Sequence, residues 1–222
     1  MLGVIGFVEV KPHNDALIKT KNAIVKIAVL PAKSSEAESV LDVISSAFSA
    51  DPVWSWAFPD SESRRRYMKL CIYGALRFPY VFKTANFESV SVWIPPGELE
   101  FTEEQEVSIP NLLTELVGSR ADDVAELLRR FGEAHPHTEP HYYLSLLGNH
   151  QVHQGRGLGM ALLKENLVRI DAQQMPAYLE SSNPANNHRY ESVGFKPVSS
   201  FRAPKNGPIV TGMWREKRND RD

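Results

Sequence analysis

Apolar and polar positions change rhythm several times along this chain, and each change predicts an element. Ile24, Val25, Ile27, Val29 and Leu30 are β-branched or apolar and stop at Pro31, which predicts a first strand. Ser34 or Ser35 then stands where a helix needs a cap, ahead of Val40, Leu41, Ile44, Ala47 and Phe48 at three- and four-residue spacing. Asp51-Pro52 and the aromatic group Trp54, Trp56 and Phe58 follow, closed by Pro59-Asp60, as a short helix or a loop. Ser61 is a second candidate cap, for a helix carrying Tyr67, Leu70, Cys71, Gly74 and Leu76. Val81 to Phe87 and Ser89 to Ile94 read as an antiparallel strand pair that Pro95-Pro96-Gly97 terminates. Two helices fill Thr102 to Phe131, with a break near Gly118-Ser119, and Pro136 to Pro140 is too rich in proline and histidine for regular structure.

The second half is more regular. It predicts a strand from about His141 to Gly148, a glycine loop, a helix to Gln174 and a strand from Ala177 to Ser181. A short helix through Asn186 to Ser192 and strands around Phe195 to Val198 and Ile209 to Trp214 complete it. In the long helix Met160, Leu163, Leu167 and Ile170 line one face, with Lys164, Glu165 and Arg169 opposite. The loop Gln154-Gly155-Arg156-Gly157-Leu158-Gly159 therefore sits at a strand-to-helix junction. Glycine lets the backbone turn sharply and approach a ligand, and the unpaired N–H groups of a first helical turn favour anions. Arg156 adds a cation; the same glycines also suit a turn that only permits packing. Two common phosphate loops are excluded by spacing. A dinucleotide fingerprint needs Gly or Ala where Met160 or Leu162 stands, and a Walker loop needs Gly-Lys before Ser or Thr, which the chain lacks.

Composition narrows the class without deciding it. A chain of 222 residues with 42% hydrophobic and 23% charged content suits one globular domain. We expect an appendage over 1–22, open to disorder, a folded domain over 23–216 and a charged tail over 217–222. The net charge of −2 gives no general attraction to nucleic acid or acidic membranes, and Arg64, Arg65 and Arg66 read as a solvated helix face. The single cysteine, Cys71, excludes an intrachain disulfide and fits a cytoplasmic location. Met1 to Val10 is apolar but contains Glu9 and has no basic leader, so it reads as neither signal peptide nor membrane span.

The order strand, Gln-Gly-x-Gly-x-Gly loop, helix, strand, Asn183, then Tyr190-Glu191-Ser192-Val193-Gly194-Phe195 resembles the GNAT superfamily of acetyl-CoA-dependent N-acetyltransferases. Ala47-Phe48 before Asp51-Pro52, Val92-Trp93 before a proline and Tyr178-Leu179-Glu180-Ser181 are similar to the branch that contains puromycin N-acetyltransferase. The resemblance implies a mixed α/β fold, a twisted and mainly antiparallel sheet with helices on both faces. It implies acetyl-CoA as co-substrate, with the pyrophosphate on the backbone of Gln154, Gly155, Arg156, Gly157, Leu158, Gly159 and Met160. The strand end Leu147-Gly148-Asn149 would pair with the pantetheine arm, Asn183 and Tyr190 would lie near it, and Asn187 would add a contact. Asn149, Gln151 and Arg189 depart from the family's usual residues.

Acetyl transfer to an amine needs a neutral nucleophile, donors for the developing oxyanion and a proton for the thiolate. Tyr190, as a phenol with an ordinary pKa near 10, suits the last task; the plainer alternative is a ring packed on a helix face. Glu180 alternates with Leu179 and suits a base or a structural carboxylate; Glu139, His141 and Tyr142 are other candidates, and no dedicated base is a further option. His135, His137 and His141, with His150 and His153, invite a metal, but no cysteine or HExxH pattern accompanies them and no metal is expected. Trp54, Trp56, Phe58, Tyr80, Phe82 and Trp93 suit a pocket or, more commonly, a core, and Pro52 to Phe58 is the segment placed to face a ligand. The expected partner is a small-molecule primary amine, with no nucleic acid or membrane, and a homodimer is compatible with the reading. A protein or peptide N-acetyltransferase and a non-catalytic acyl-CoA sensor are the alternatives.

Overall fold

A computed structural model of the chain describes residues 16–20 and 23–218. Strands β1 (Ala16–Thr20) and β2 (Ala23–Ile27) form an antiparallel pair of their own. The apolar run Ile24 to Leu30 predicts one strand, but it is divided at Ala28, after which β3 (Val29–Pro31) joins a second sheet. A run without alternation does not specify which sheet it enters, so the division left no trace in the pattern. Residues 16–20, grouped by sequence with the appendage, are thus a strand; the rest of 1–22, and 219–222 of the tail, lie outside the described residues.

The main sheet continues with β4 (Val81–Thr84), β5 (Ser89–Ile94), β6 (Tyr142–Asn149), β7 (Ala177–Ser181), β8 (Lys196–Arg202) and β9 (Ile209–Arg215). Its spatial order is β3-β4-β5-β6-β7-β9-β8, antiparallel throughout except for the parallel pair β6 and β7. Pro31, which has no N–H to give, lies on the edge strand as its chemistry requires.

Helices cover both faces. On one lie α1 (Ala37–Ala47), α2 (Pro52–Ala57), α3 (Ser61–Ala75), α4 (Glu103–Val117) and α5 (Ala121–Ala134), packed on Val90, Val92, Ile94 and Leu146. On the other, α6 (Leu158–Asp171) packs on Trp93, Leu144 and Leu179, and α7 (Asn187–Glu191) precedes β8. Among the described residues no helix is long and apolar enough to cross a membrane.

Several caps differ from the sequence expectation. Neither Ser34 nor Ser35 caps α1; the Lys33 N–H donates to the Glu36 carboxylate at 2.9 Å, in a single 3-10 turn ahead of the helix. Asp60, not Ser61, caps α3 by accepting from the Ser63 N–H at 2.7 Å, which leaves Ser61 as the first helical residue. Thr102 and Gln105 form a reciprocal capping box on α4. Arg64 is not part of a solvated face. It is buried and donates to the carbonyls of Phe58 at 2.8 Å and Ser49 at 3.3 Å, tying α3 to the turns around α2. Arg65 and Arg66 remain at the surface, paired with Glu38 and Asp42 and with Glu115.

Candidate active site

The site is prepared by an irregularity in β6. Val92 faces Leu146 and Trp93 faces Leu144, so Ser145 is an extra residue with no partner on β5. Such a bulge reverses the alternation of side chains. Before it Leu144 packs on the α6 face; after it Leu146 packs on the opposite face and Leu147 turns toward α6. The parallel partner departs at the same place. Pairing of β6 with β7 ends at Leu144 with Leu179, while Glu180 and Ser181 stay paired to β9. The backbone from Ser145 to Asn149 therefore faces a gap on its β7 side. Close approach of α1 holds this strand end in place. A Cβ on Gly148 would lie 2.5 Å from the Ala47 Cβ, so only glycine fits.

The gap opens into a cleft of about 420 Å³ whose walls include Leu147, Gly148, Asn149, Gln154, Gly155 and Asn183. Arg189, Tyr190 and Glu180 also line it. At one end Gly155 (φ 76°) and Gly157 (φ 75°) take left-handed backbone conformations, and Gly157 caps α6. The N–H groups of Leu158, Gly159 and Met160 form the first turn of that helix, where an anion is favoured. At Gly159 a Cβ would lie 2.8 Å from the Asn149 Oδ1, so a side chain there would displace the Asn149 amide. Arg156 through Met160 are not among the cleft walls; Leu158 is buried in the core, and the Arg156 guanidinium contacts His153 Nδ1 at 3.0 Å. Gln151 donates its N–H to the Ser46 hydroxyl, which ties the loop to α1.

Asn183 accepts from the Ala185 N–H at 3.1 Å and so caps the one-turn helix before α7. Asn187 turns away, donating to Thr211 of β9 at 3.2 Å, and Asn186 lines the cleft in its place. Burial, helped by the nearby Asp51 charge and opposed by Arg189, pushes the Tyr190 phenol up to about 12. Asp51 was not anticipated as a site residue. It caps α2 through the N–H groups of Val53 and Trp54, both at 3.0 Å, and accepts from the Ser182 hydroxyl at 2.6 Å across the cleft. Burial raises its carboxyl above the usual range, and the Ser182 bond opposes that rise.

A second cleft, about 640 Å³, adjoins the first at the bulge, and Trp54, Phe131, Tyr143, Ser145 and Glu180 line both. Its outer walls are largely apolar, with Phe101, Ile109 and Leu128 among them. Two carboxylates mark the junction. Glu100 accepts from the Ser145 hydroxyl, and burial raises its carboxyl to about 7, with the Ser145 bond opposing and the Glu180 charge adding. The Glu180 side chain is 2% exposed; its Oε1 is 3.5 Å from His135 Nδ1 and its Oε2 has no hydrogen-bond partner. Glu100, Ser145 and His135 were not read from sequence as acceptor-site residues. Glu100 and Ser145 stand 45 positions apart and carry no local pattern. Of the aromatic residues weighed as pocket walls, Trp54 alone is among those lining the clefts; Phe58, Phe82 and Trp93 are core. Among the described residues no group of three or more His, Cys, Asp or Glu side chains is arranged to hold a metal.

No family model matches the chain. Solved structures superpose over most of it. A putative arylalkylamine N-acetyltransferase 7 of the mosquito Aedes aegypti has a TM-score of 0.64 at 13% identity, over 96% of this chain and 98% of that one. The fold is that of the GNAT N-acetyltransferases. A histone acetyltransferase HPA2 and related acetyltransferase of Corynebacterium glutamicum has a TM-score of 0.62 at 22% identity, over 88% and 99%. The polyamine N-acetyltransferase of Drosophila melanogaster, which forms N-acetylagmatine, has a TM-score of 0.58 at 14% identity, over 86% and 99%. The GNAT fold has a mixed α/β, mainly antiparallel sheet, as the order of motifs around the glycine loop implies.

Proposed function

We propose that the chain is an acetyl-CoA-dependent N-acetyltransferase acting on a primary amine of a small molecule by direct transfer. The meeting of two clefts at the Ser145 bulge carries this reading, because it lets two substrates bound in adjoining clefts touch. We place the catalytic unit in 23–216 and, on the free buried thiol of Cys71, the protein in the cytoplasm.

The unpaired side of β6 from Ser145 to Asn149 suits the amide groups of a pantetheine arm, and the start of α6 with Gln154 to Met160 suits a pyrophosphate. Acetyl-CoA supplies an acetyl group activated as a thioester. The bulge leaves backbone N–H groups at the junction to receive charge developing on the carbonyl oxygen. Tyr190, held neutral by burial, donates a proton to the departing sulfur. Glu180 takes the proton from the incoming ammonium.

The second cleft indicates the kind of amine. Carboxylates at its inner end suit a cation, and Trp54, Phe101, Ile109 and Phe131 suit an apolar body. Both α4 and α5 contribute to its walls, which favours a compact acceptor over a peptide lying in an open groove. The neighbours named for arylalkylamines and polyamines are consistent with such an acceptor. Isothermal titration with acetyl-CoA is the first test. Saturable binding that weakens in a Gly157→Pro variant supports the site; no binding at high micromolar concentration would remove it.

A further inference from the structure

We propose that Ser145 and Glu100 form a proton relay at the cleft junction: the Ser145 hydroxyl accepts the second proton that the acceptor nitrogen must lose and passes its own to the Glu100 carboxylate. The relay rests on the acetyl-transfer reading.

An ammonium that becomes an amide gives up two protons. Glu180 takes the first, which frees the electron pair that attacks the thioester carbonyl. In the resulting tetrahedral adduct the nitrogen is positively charged again, and it can leave as it came until a second N–H bond breaks. Glu180 is by then protonated, and Tyr190 is a donor to sulfur. The junction therefore needs another acceptor.

Of the five residues that line both clefts, Tyr143, Ser145 and Glu180 carry side-chain oxygen. Tyr143 does not suit the second transfer. Burial, with the Glu180 and Glu100 charges, pushes its phenol up, and the carboxylate it approaches, Glu180, is the one already spent. Ser145 differs in having a separate carboxylate behind it. As the extra residue of the bulge it has no partner on β5, and its hydroxyl donates to Glu100 Oε1, on the wall of the second cleft. The hydrogen of that hydroxyl is thus committed to Glu100, and the lone pairs of its oxygen are left to accept.

The surroundings of Glu100 keep it a base near neutral pH. Burial raises its carboxyl to about 7, against the Ser145 bond and His135 and with the Glu180 charge. Tyr67 and Cys71 of α3 and Tyr143 of β6 also act on it, and burial pushes all three up, so none brings a charge. Arg77 reaches the Glu100 carbonyl, at 3.2 Å, and not its carboxylate. A base that titrates close to the working pH can both take a proton and return it.

In the relay an N–H bond of the adduct breaks and its electron pair stays on nitrogen. The proton forms an O–H bond at Ser145 Oγ while the hydroxyl's own proton moves to Glu100 Oε1. After product leaves, Glu100 and Glu180 each return a proton to water in the second cleft. Tyr190 regains one from water in the first, so one proton is released for each acetyl group transferred.

Thiol release over aryl-, alkyl- and polyamines first finds an acceptor. With chemistry limiting the rate, kcat and kcat/KM are then followed against pH for wild type, Ser145→Ala, Glu100→Gln and the double variant. In the ratio of variant to wild type the amine's own ionisation cancels. Both single variants should fall to about one-hundredth of wild-type kcat/KM near pH 8, the usual worth of a positioned base, and approach wild type below about pH 5, where Glu100 is protonated and the relay is idle. The double variant should be no slower than either single one, because the two groups act as a unit; multiplied losses would overturn the relay. Were Glu100 only an attraction for the cationic amine, Ser145→Ala would keep a near-wild-type kcat and Glu100→Gln would raise KM alone, and either result overturns it. If Ser145→Ala no longer binds acetyl-CoA, the split between kcat and KM in Glu100→Gln decides. Wild type that acetylates no amine brings down the acetyl-transfer reading and the relay with it, whereas wild-type turnover with unaffected variants brings down the relay alone.

Discussion

Tyr190 and Gly155 show how much single residues contribute to the proposed reaction. Tyr190 sits in the first cleft with a phenol that stays protonated across the working range, so its loss should affect proton delivery and little else. Tyr190→Phe is expected to lower kcat by about 100-fold or more, the usual worth of a positioned acid, while the acetyl-CoA dissociation constant stays within about twofold. An unchanged kcat when chemistry limits the rate would remove Tyr190 from this role. Gly155 has φ 76° and open space around it, so a methyl group there meets no neighbour and acts through backbone strain alone. Gly155→Ala should cost about 1–2 kcal/mol of loop conformation and weaken acetyl-CoA binding about tenfold by titration. Both positions were singled out in sequence, Gly155 by the glycines at a strand-to-helix junction and Tyr190 by the resemblance to an acetyltransferase family. Glu100 was not. Following Pro95-Pro96-Gly97, it looks like any solvated carboxylate, and only the folded chain brings Ser145 and Glu180 to it.

At the scale of elements, the bulged strand β6 and the helix behind it form the structural basis of the site. Leu146 and Gly148 face α1 only because Ser145 is the extra residue, and α1 comes close only because position 148 has no side chain. Gly148→Ala should therefore force α1 and β6 apart, lowering unfolding stability by about 1–3 kcal/mol in urea titrations. Full stability in that variant would contradict the packing described. Order and type of the second-half elements were readable from periodicity, and β7 has the predicted bounds, Ala177 to Ser181. The bulge was not readable, since inserting one residue shifts the phase of alternation without changing composition. The split between β2 and β3 escaped for a related reason, an apolar run with no phase to lose.

For the molecule as a whole, the cleft junction links stability to pH. Glu100 has a folded-state pKa raised from 4.5 to about 7, so the stability tied to this group is fully present below about pH 4.5 and is lost as pH rises through about 7. Glu100→Gln keeps an acceptor for Ser145 and removes the charge. Its melting temperature should exceed that of wild type at pH 8, by about 2–4 °C per kcal/mol relieved, and match it below pH 4.5. A difference equal at both pH values would show that Glu100 is not the group responsible.

The two clefts also imply that both substrates are bound together before the acetyl group moves. The most direct test is initial-rate thiol release with acetyl-CoA and an amine varied together. The proposal predicts release that depends on both and double-reciprocal lines that intersect, as a ternary complex requires. Parallel lines, or acetyl-CoA binding without thiol release for any aryl-, alkyl- or polyamine, would contradict it.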